Sequence, residues 1–491
     1  MGPKIGFFKF NESGKIVEIR QDVVHATGLT NCMNGQLVRL GANSRGIILG
    51  FDTNYVLILV VDEGAVLKPG DDVRTTLEDF KVPVGEGFLG RRVNALAKPI
   101  DRRGPIREDA LYPIFGQAPS VLERIPLTDE LQTGTKIIDM LKPVGKGQRM
   151  LILGDRMTGK TTLGVDAIIN QKGKDVICIY CCIGKAEAAL NRIIETFDNK
   201  EVWGYTIVVA ATASDPMGRQ YLAPYVATSL GEYFMHEKQG HVLMIFDDFT
   251  KHAWAYRQIS LLLERAPGRD AYPGDIFYIH SQLVERAGKL NLERGGGSMT
   301  HLPIVETLQG DVAGYIPSNI VSMTDGQIYM STPLFSEGFR PAIDMGLSVS
   351  RIGSKVQWRA VKEMTGMLQL EFVRYKELER LTRIKAGASI DVRRRLKKGR
   401  VVEEVLKQKE NDPVPMEEQV LLLFALQNGF LNDVEPEDVQ KRLRLLVKQI
   451  MDNRPDLVEE LIARRELTEG MKEGLNEQIR LFKGADLQAQ S

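Results

Sequence analysis

An apolar run, Met150-Leu151-Ile152-Leu153, leads directly into Gly154-Asp155-Arg156-Met157-Thr158-Gly159-Lys160-Thr161, which fits GxxxxGK[ST] in full. This segment constrains the fold most tightly. A strand that ends in a glycine turn and restarts as a helix at Thr162 commits the chain to helices layered on a mainly parallel sheet. It also implies a phosphate-binding loop. Its glycines let successive N–H groups face a polyphosphate, Lys160 can reach the outer phosphates, and the Thr161 hydroxyl can ligate Mg²⁺. The dipole of the following helix adds attraction for an anion.

The rest of the chain divides into three textures. Residues 1–80 carry short β-type runs (KIVEIR, QLVRL, RGIILGF, YVLILVV, DDVRTTL) separated by Gly, Asn and Asp, which predicts a small antiparallel β-barrel. Residues 81–355 alternate apolar strands (RMLILG, DVICIYCC, YTIVVAA, HVLMIFDD, DIFYIH) with helical stretches, a rhythm that implies a mainly parallel sheet covered by helices. Residues 356–491 lose the β runs. Long periodic segments rich in Leu, Glu, Lys and Arg, broken at Asn411-Asp412-Pro413 and Asn453-Arg454-Pro455, predict a helical bundle. The run Arg393-Arg394-Arg395-Leu396-Lys397-Lys398 reads as a solvated helix face.

Charge and cysteine usage narrow the function. The 64 Lys and Arg balance 64 Asp and Glu, so no net field draws the chain to nucleic acid or to an anionic membrane. No apolar run is long enough to span a bilayer. Of the four cysteines, Cys178, Cys181 and Cys182 fall in one apolar run. Side chains alternate faces along a strand, so the CxxC pair diverges; apolar packing in a reducing compartment is expected.

A phosphate loop of this kind needs an acidic residue at the end of a neighbouring strand, and Val242-Leu243-Met244-Ile245-Phe246-Asp247-Asp248 supplies Asp247. Its carboxylate is expected to hold Mg²⁺ through water, complementing Thr161.

The chain resembles the alpha subunit of F-type ATP synthases. The resemblance runs over almost the whole sequence and rests on LQTGTKIIDMLKPVGKGQRMLILGDRMTGKTTL, IFDDFTKHAWAYRQISLLLERAPGRDAYPGDIFYIHSQLVERAG, LPIVETLQGDVAGYIPSNIVSMTDGQIYMSTPLF, RPAIDMGLSVSRIGS and MEEQVLLLFALQNGFL. It implies a β-barrel, a RecA-like P-loop nucleotide domain and a helical C-terminal domain, with three alpha subunits alternating with three beta subunits in a ring around a gamma-type central stalk, a delta-type peripheral stalk and no nucleic acid. It further implies ATP or ADP with Mg²⁺ as ligands, and a peripheral membrane complex on the cytoplasmic face of a bacterial plasma membrane. The GDRxTGKT form of the loop belongs to alpha; the catalytic beta begins Gly-Gly-Ala-Gly.

The chemistry of the loop after the next strand agrees with that assignment. Hydrolysis needs a group to orient the attacking water, and catalytic relatives place a glutamate there. Here the strand ends Cys182-Ile183-Gly184-Lys185, and Lys185 aligns with that glutamate, where alpha usually has glutamine. A lysine cannot serve as a carboxylate base, and it adds positive charge near the phosphates, favouring retention over turnover. Glu187 stands two residues on as a substitute if the loop were rearranged. The competing reading is a ring ATPase of secretion or helicase type that hydrolyses at its own site.

Further residues carry over from alpha. Arg351, in Leu347-Ser348-Val349-Ser350-Arg351-Ile352-Gly353, aligns with the arginine finger that alpha supplies to the beta site, with Ser348 and Ser350 expected to order its turn. The adenine pocket carries over to Arg340, Pro341 and Gln408. Glu410 stands where a second glutamine is usual; a carboxylate only accepts hydrogen bonds, so base preference is expected to change. The β-pattern begins almost at Met1, ahead of which alpha usually carries a stalk-docking segment, so weaker or different stalk attachment is expected. Met157 replaces a usual glutamine. The rotor-facing loop, usually an acidic AQFGSDLD, reads Thr382-Arg383-Ile384-Lys385-Ala386-Gly387-Ala388-Ser389, which suggests a divergent lineage of alternate bacterial complexes.

Overall fold

A computed structural model of the chain describes residues 11–62, 64, 66–384 and 390–490. Most of the rotor-facing loop, Lys385 to Ser389, lies outside the described residues. By contacts the chain forms two compact units: residues 1–125, 173–307 and 311–324 make the first, and residues 126–172, 308–310 and 325–491 make the second. These units divide the chain by contact, whereas the three sequence textures divide it by composition.

The first unit opens with a closed, six-stranded antiparallel barrel built from Ser13–Arg20, Val23–Thr27, Leu37–Leu40, Ser44–Phe51, Val56–Asp62 and Asp72–Thr75. Closure removes the edges that short strands leave exposed. Alternating residues Val24 and Ala26, Val38 and Leu40, and Val56, Ile58 and Val60 point into one apolar core with Ile16, Ile48 and Val73. The unit continues as a parallel sheet in the order Ser298–Glu306, His241–Asp247, Val176–Ile183, Thr206–Ala211 and Arg92–Asn94. The three middle strands are almost wholly buried, which is why they read as continuous apolar runs. The helix Met217–His236 packs on them and is buried along nearly its whole length.

Cys178, Cys181 and Cys182 are fully buried in Val176–Ile183, and all three are free thiols. Burial pushes the Cys182 thiol up to about 12, with the Asp247 carboxylate adding to it. These thiols pack as small apolar groups.

In the second unit Leu151–Gly154 runs parallel to Gly326–Met330, to which Val349–Ser350 adds antiparallel. The helix Lys160–Ile169 follows the phosphate loop. Beyond residue 356 only helices occur among the described residues, including Leu368–Ile384, Ile390–Leu406, Met416–Gln427, Val439–Asn453, Pro455–Arg464 and Glu469–Gln490. Both expected breaks lie between helices: Pro413 falls in the connection between Leu406 and Met416, and Pro455 sits in the first turn of a new helix, where its missing N–H costs nothing. Arg393, Arg394, Arg395, Lys397 and Lys398 are exposed, the solvated face their run predicted.

Candidate nucleotide site

The phosphate loop is held from both ends. Gly154 pairs in register with Met330, and a Cβ at Gly154 would stand 2.5 Å from the Met330 carbonyl oxygen, so glycine alone allows the approach. Gly159 takes φ 97°, ψ 13° as the N-cap, turning the chain into the helix at Lys160. Between them Asp155 braces the loop. Its Oδ1 accepts from Gly310 N at 2.8 Å and its Oδ2 from the Thr332 hydroxyl at 2.9 Å, while its carbonyl accepts from the Thr158 hydroxyl at 2.8 Å. That carbonyl also takes the Lys160 ammonium at 2.5 Å. Lys160 is buried, whereas Arg156 and Met157 lie exposed at the tip. The helix start leaves N–H groups to receive an anion. Asp155 occupies a variable position of the motif, so nothing in the motif signals its bracing role.

The residues expected around an adenine are joined in the same unit. Gln408 N donates to the Arg340 carbonyl at 2.8 Å, and the Arg340 guanidinium stacks 4.7 Å over Phe335. The Gln408 side chain is heavily engaged: Oε1 accepts from Lys136 N at 2.9 Å, and Nε2 donates to the carbonyls of Gly134 at 2.8 Å and Asp412 at 2.9 Å. Asn411 N donates to Asp166 Oδ1 at 2.9 Å, which ties this loop to the helix that follows the phosphate loop. Glu410 is exposed. Lys136 lies buried beneath, its ammonium on the carbonyls of Val405 and Lys407. Burial, with Arg444 adding to it, lowers Lys136 to about 8. Asp166 and Lys136 escaped the sequence reading because helical periodicity absorbs one and the other precedes the motif.

Ser348 is fully buried, and its hydroxyl accepts from Tyr329 N at 2.9 Å, pinning the segment to the adjacent strand. The Ser350 hydroxyl donates to the Pro143 carbonyl at 2.9 Å and accepts from Gly353 N at 3.1 Å, so the turn expected around Arg351 is bonded through Ser350. Arg351 N donates to the Asp325 carbonyl at 2.9 Å. Its side chain is exposed and makes no ion pair among the described residues.

In the first unit Asp247 ends the strand His241–Asp247, in register with Cys182 of Val176–Ile183. That register places Lys185, three residues past Cys182, beside it. Lys185 Nζ lies 2.6 Å from Asp247 Oδ2, and the buried Tyr180 hydroxyl donates to the same oxygen at 2.7 Å. Burial opposes the lysine's charge, yet the Asp247 carboxylate outweighs it and holds Lys185 above its ordinary value. The extra positive charge expected from Lys185 is therefore matched locally by a carboxylate. The neighbouring Asp248 caps the helix Phe249–Leu262, accepting from Lys251 N at 2.7 Å. Burial, then the carboxylates of Asp247 and Glu306, push Asp248 up to about 7. Glu187 is exposed at the start of the helix Glu187–Asn199.

For Mg²⁺ the two candidate donors differ. The Thr161 hydroxyl at the head of its helix is a suitable oxygen donor. Of the Asp247 carboxylate, Oδ2 is engaged by the Lys185 ammonium and the Tyr180 hydroxyl.

Comparison with known proteins agrees with this picture. The family model for the ATP synthase alpha/beta family nucleotide-binding domain matches residues 134–350. The models for the beta-barrel domain and the C-terminal domain of that family match residues 9–76 and 357–482. A protein from Clostridium botulinum (strain Eklund 17B / Type B) named ATP synthase subunit alpha is 44% identical over 477 residues, covering 97% of this chain and 94% of its own length. Proteins of the same name from Clostridium acetobutylicum and Aquifex aeolicus are 44% and 42% identical, covering 96% and 97% of this chain and 93% and 94% of their own lengths. With a six-stranded barrel, a P-loop domain on a parallel sheet and a helical C-terminal domain, the chain belongs to the ATP synthase alpha/beta family, where the relatives it matches are alpha subunits.

Proposed function

We propose that this chain is the nucleotide-binding, non-hydrolysing alpha subunit of a rotary F-type ATP synthase. It alternates with beta subunits in a ring around a gamma-type stalk and is held by a delta-type peripheral stalk, at the cytoplasmic face of a bacterial membrane. No described helix is long and apolar enough to cross a membrane, so membrane association would run through partners. The observation that carries the reading is the contrast between an intact phosphate loop braced by Asp155 and the lysine at the position of the catalytic carboxylate.

In this reading the N–H groups at Gly159 to Thr161 and the Lys160 ammonium bind the phosphates of ATP or ADP. Lys160 leaves the Asp155 carbonyl, a neutral partner that an anionic phosphate outcompetes. Arg340, Pro341 and Gln408 border the base, and Glu410 alters its preference. Mg²⁺ held by Thr161 would neutralise part of the phosphate charge. Asp247, in the first unit, is paired with Lys185. Water activation fails because Lys185 has no lone pair to accept a proton while charged, and Glu187 starts an exposed helix turn. Arg351 acts in trans: an exposed guanidinium on a turn bonded through Ser350, with Ser348 anchoring the strand before it, suits a phosphoryl group on a neighbouring subunit.

The test uses the full-length chain alone. Calorimetry with ATP and Mg²⁺ is expected to show saturable binding, weakened about 100-fold or more by Lys160→Ala. Phosphate release is expected to stay at background. Steady release that Lys160→Ala abolishes would overturn the non-catalytic reading in favour of a self-hydrolysing ring ATPase.

A further inference from the structure

The segment from Gln408 to Val414 is pinned against the helix that follows the phosphate loop. Asn411 N donates to Asp166 Oδ1 at 2.9 Å, and Val414 N donates to the Gly134 carbonyl at 2.9 Å. Asp166 stands six residues past Lys160, which is about 9 Å along the helix axis from its phosphate-binding end. All of these residues belong to the second unit. A nucleotide whose phosphates rest at Lys160 extends its base away from that end, within reach of this segment.

Of the polar side chains there, Gln408 is spent. Its Oε1 accepts from Lys136 N at 2.9 Å, at the start of the helix Lys136–Leu141, where Thr135 supplies no side-chain cap. Both Nε2 hydrogens go to main-chain carbonyls, of Gly134 at 2.8 Å and Asp412 at 2.9 Å. An amide held in this way has no donor left for a base. The Asp412 carboxylate pairs with Arg444 at 3.6 Å. Glu410 differs: it is exposed and makes no hydrogen bond or ion pair among the described residues.

A carboxylate only accepts hydrogen bonds. The pairing edge of guanine presents two adjacent donors, N1–H and the 2-amino group, which one carboxylate can accept together. Adenine presents a single donor, its 6-amino group, beside the N1 lone pair, which a carboxylate repels. We propose that Glu410 makes guanine nucleotides the tighter ligands of this chain's own phosphate loop, with adenine nucleotides the weaker ones. The inference rests on the reading that a nucleoside triphosphate occupies that loop, and it gives Glu410 the role of a specificity residue.

Calorimetry on the full chain in excess Mg²⁺ compares the dissociation constants of ATP and GTP. GTP is expected to bind about tenfold tighter, the worth of one added charge-assisted hydrogen bond. In Glu410→Gln the amide can donate to adenine N1 while accepting from the 6-amino group, so the preference is expected to vanish or reverse. Glu410→Ala should also abolish it. A wild-type preference for GTP below about threefold, or one that survives both substitutions, overturns the inference while leaving nucleotide binding intact. Binding of neither nucleotide overturns the phosphate-loop reading itself, and this inference with it.

Discussion

Lysines of the two compact units are satisfied in different ways. In the second unit Lys160 rests on the carbonyl of Asp155 and Lys136 on the carbonyls of Val405 and Lys407. In the first, Lys185 is locked to the carboxylate of Asp247. A carbonyl offers a dipole, which an incoming phosphate can replace at a gain; a buried carboxylate offers a full charge, which nothing neutral can replace without a desolvation cost. The second unit therefore keeps its cation exchangeable where a ligand is expected, and the first closes its cation in place.

The comparison can be broken most sharply at the exposed cation of the second unit. In the assembled complex Arg351→Ala is expected to reduce multisite turnover by about 10³-fold or more while nucleotide retention by this chain stays near normal. Arg351→Lys should rescue little, since a point charge lacks the planar fork. Retention of most activity by either variant would remove Arg351 from the neighbour's chemistry.

A smaller effect is expected for buried titratable groups of the first unit on acidification. His252 and His280 are buried side by side, with Nδ1 of one 3.2 Å from Nε2 of the other, and burial depresses His252 to about 4 and His280 well below its ordinary value. Both are neutral in the folded and unfolded states above pH 6.5. Below that the unfolded chain binds protons first, so stability is lost as pH falls from 6.5 towards 4, by about 3 kcal/mol for His252. Lys136 in the second unit works in the other pH range. Its folded value of about 8 lies below the ordinary 10.5, so stability rises with pH between the two, also by about 3 kcal/mol. Urea unfolding followed through Trp203 and Trp254 in a Trp358→Phe variant, and through Trp358 in a Trp203→Phe/Trp254→Phe variant, separates the units. Identical pH profiles from the two variants would contradict this division.

The smallest expected effect is at Asp155. Replacing it by alanine removes two accepted hydrogen bonds from the brace of the phosphate loop and should weaken ATP binding by about 2 kcal/mol, read by calorimetry.

Much of this was legible along the chain. Turn residues between short apolar runs foretold a barrel over residues 1–80, and its six strands run from Ser13 to Thr75. The helix break at Pro455 followed from proline's missing donor, whereas the helix before Pro413 stops seven residues short of it, at Leu406. Lys185 was visible as a substitution for a base; its pairing with a carboxylate, set by the register between Cys182 and Asp247, was not. Gln408 was visible as a family position, yet both hydrogens of its amide go to the main chain at Gly134 and Asp412. Strand pairing and loop closure join residues that no local pattern links.

The sequence by itself determined the element types, the phosphate loop and the missing carboxylate, because periodicity, glycine and proline stereochemistry and side-chain acidity act over a few neighbouring residues. Only the tertiary structure decided which charges meet. Asp155 with Gly310 and Thr332, Asn411 with Asp166, and Lys185 with Asp247 are pairs far apart in the chain. Their energies depend on distance and burial, and both come into being only when the strands and loops that carry them have packed.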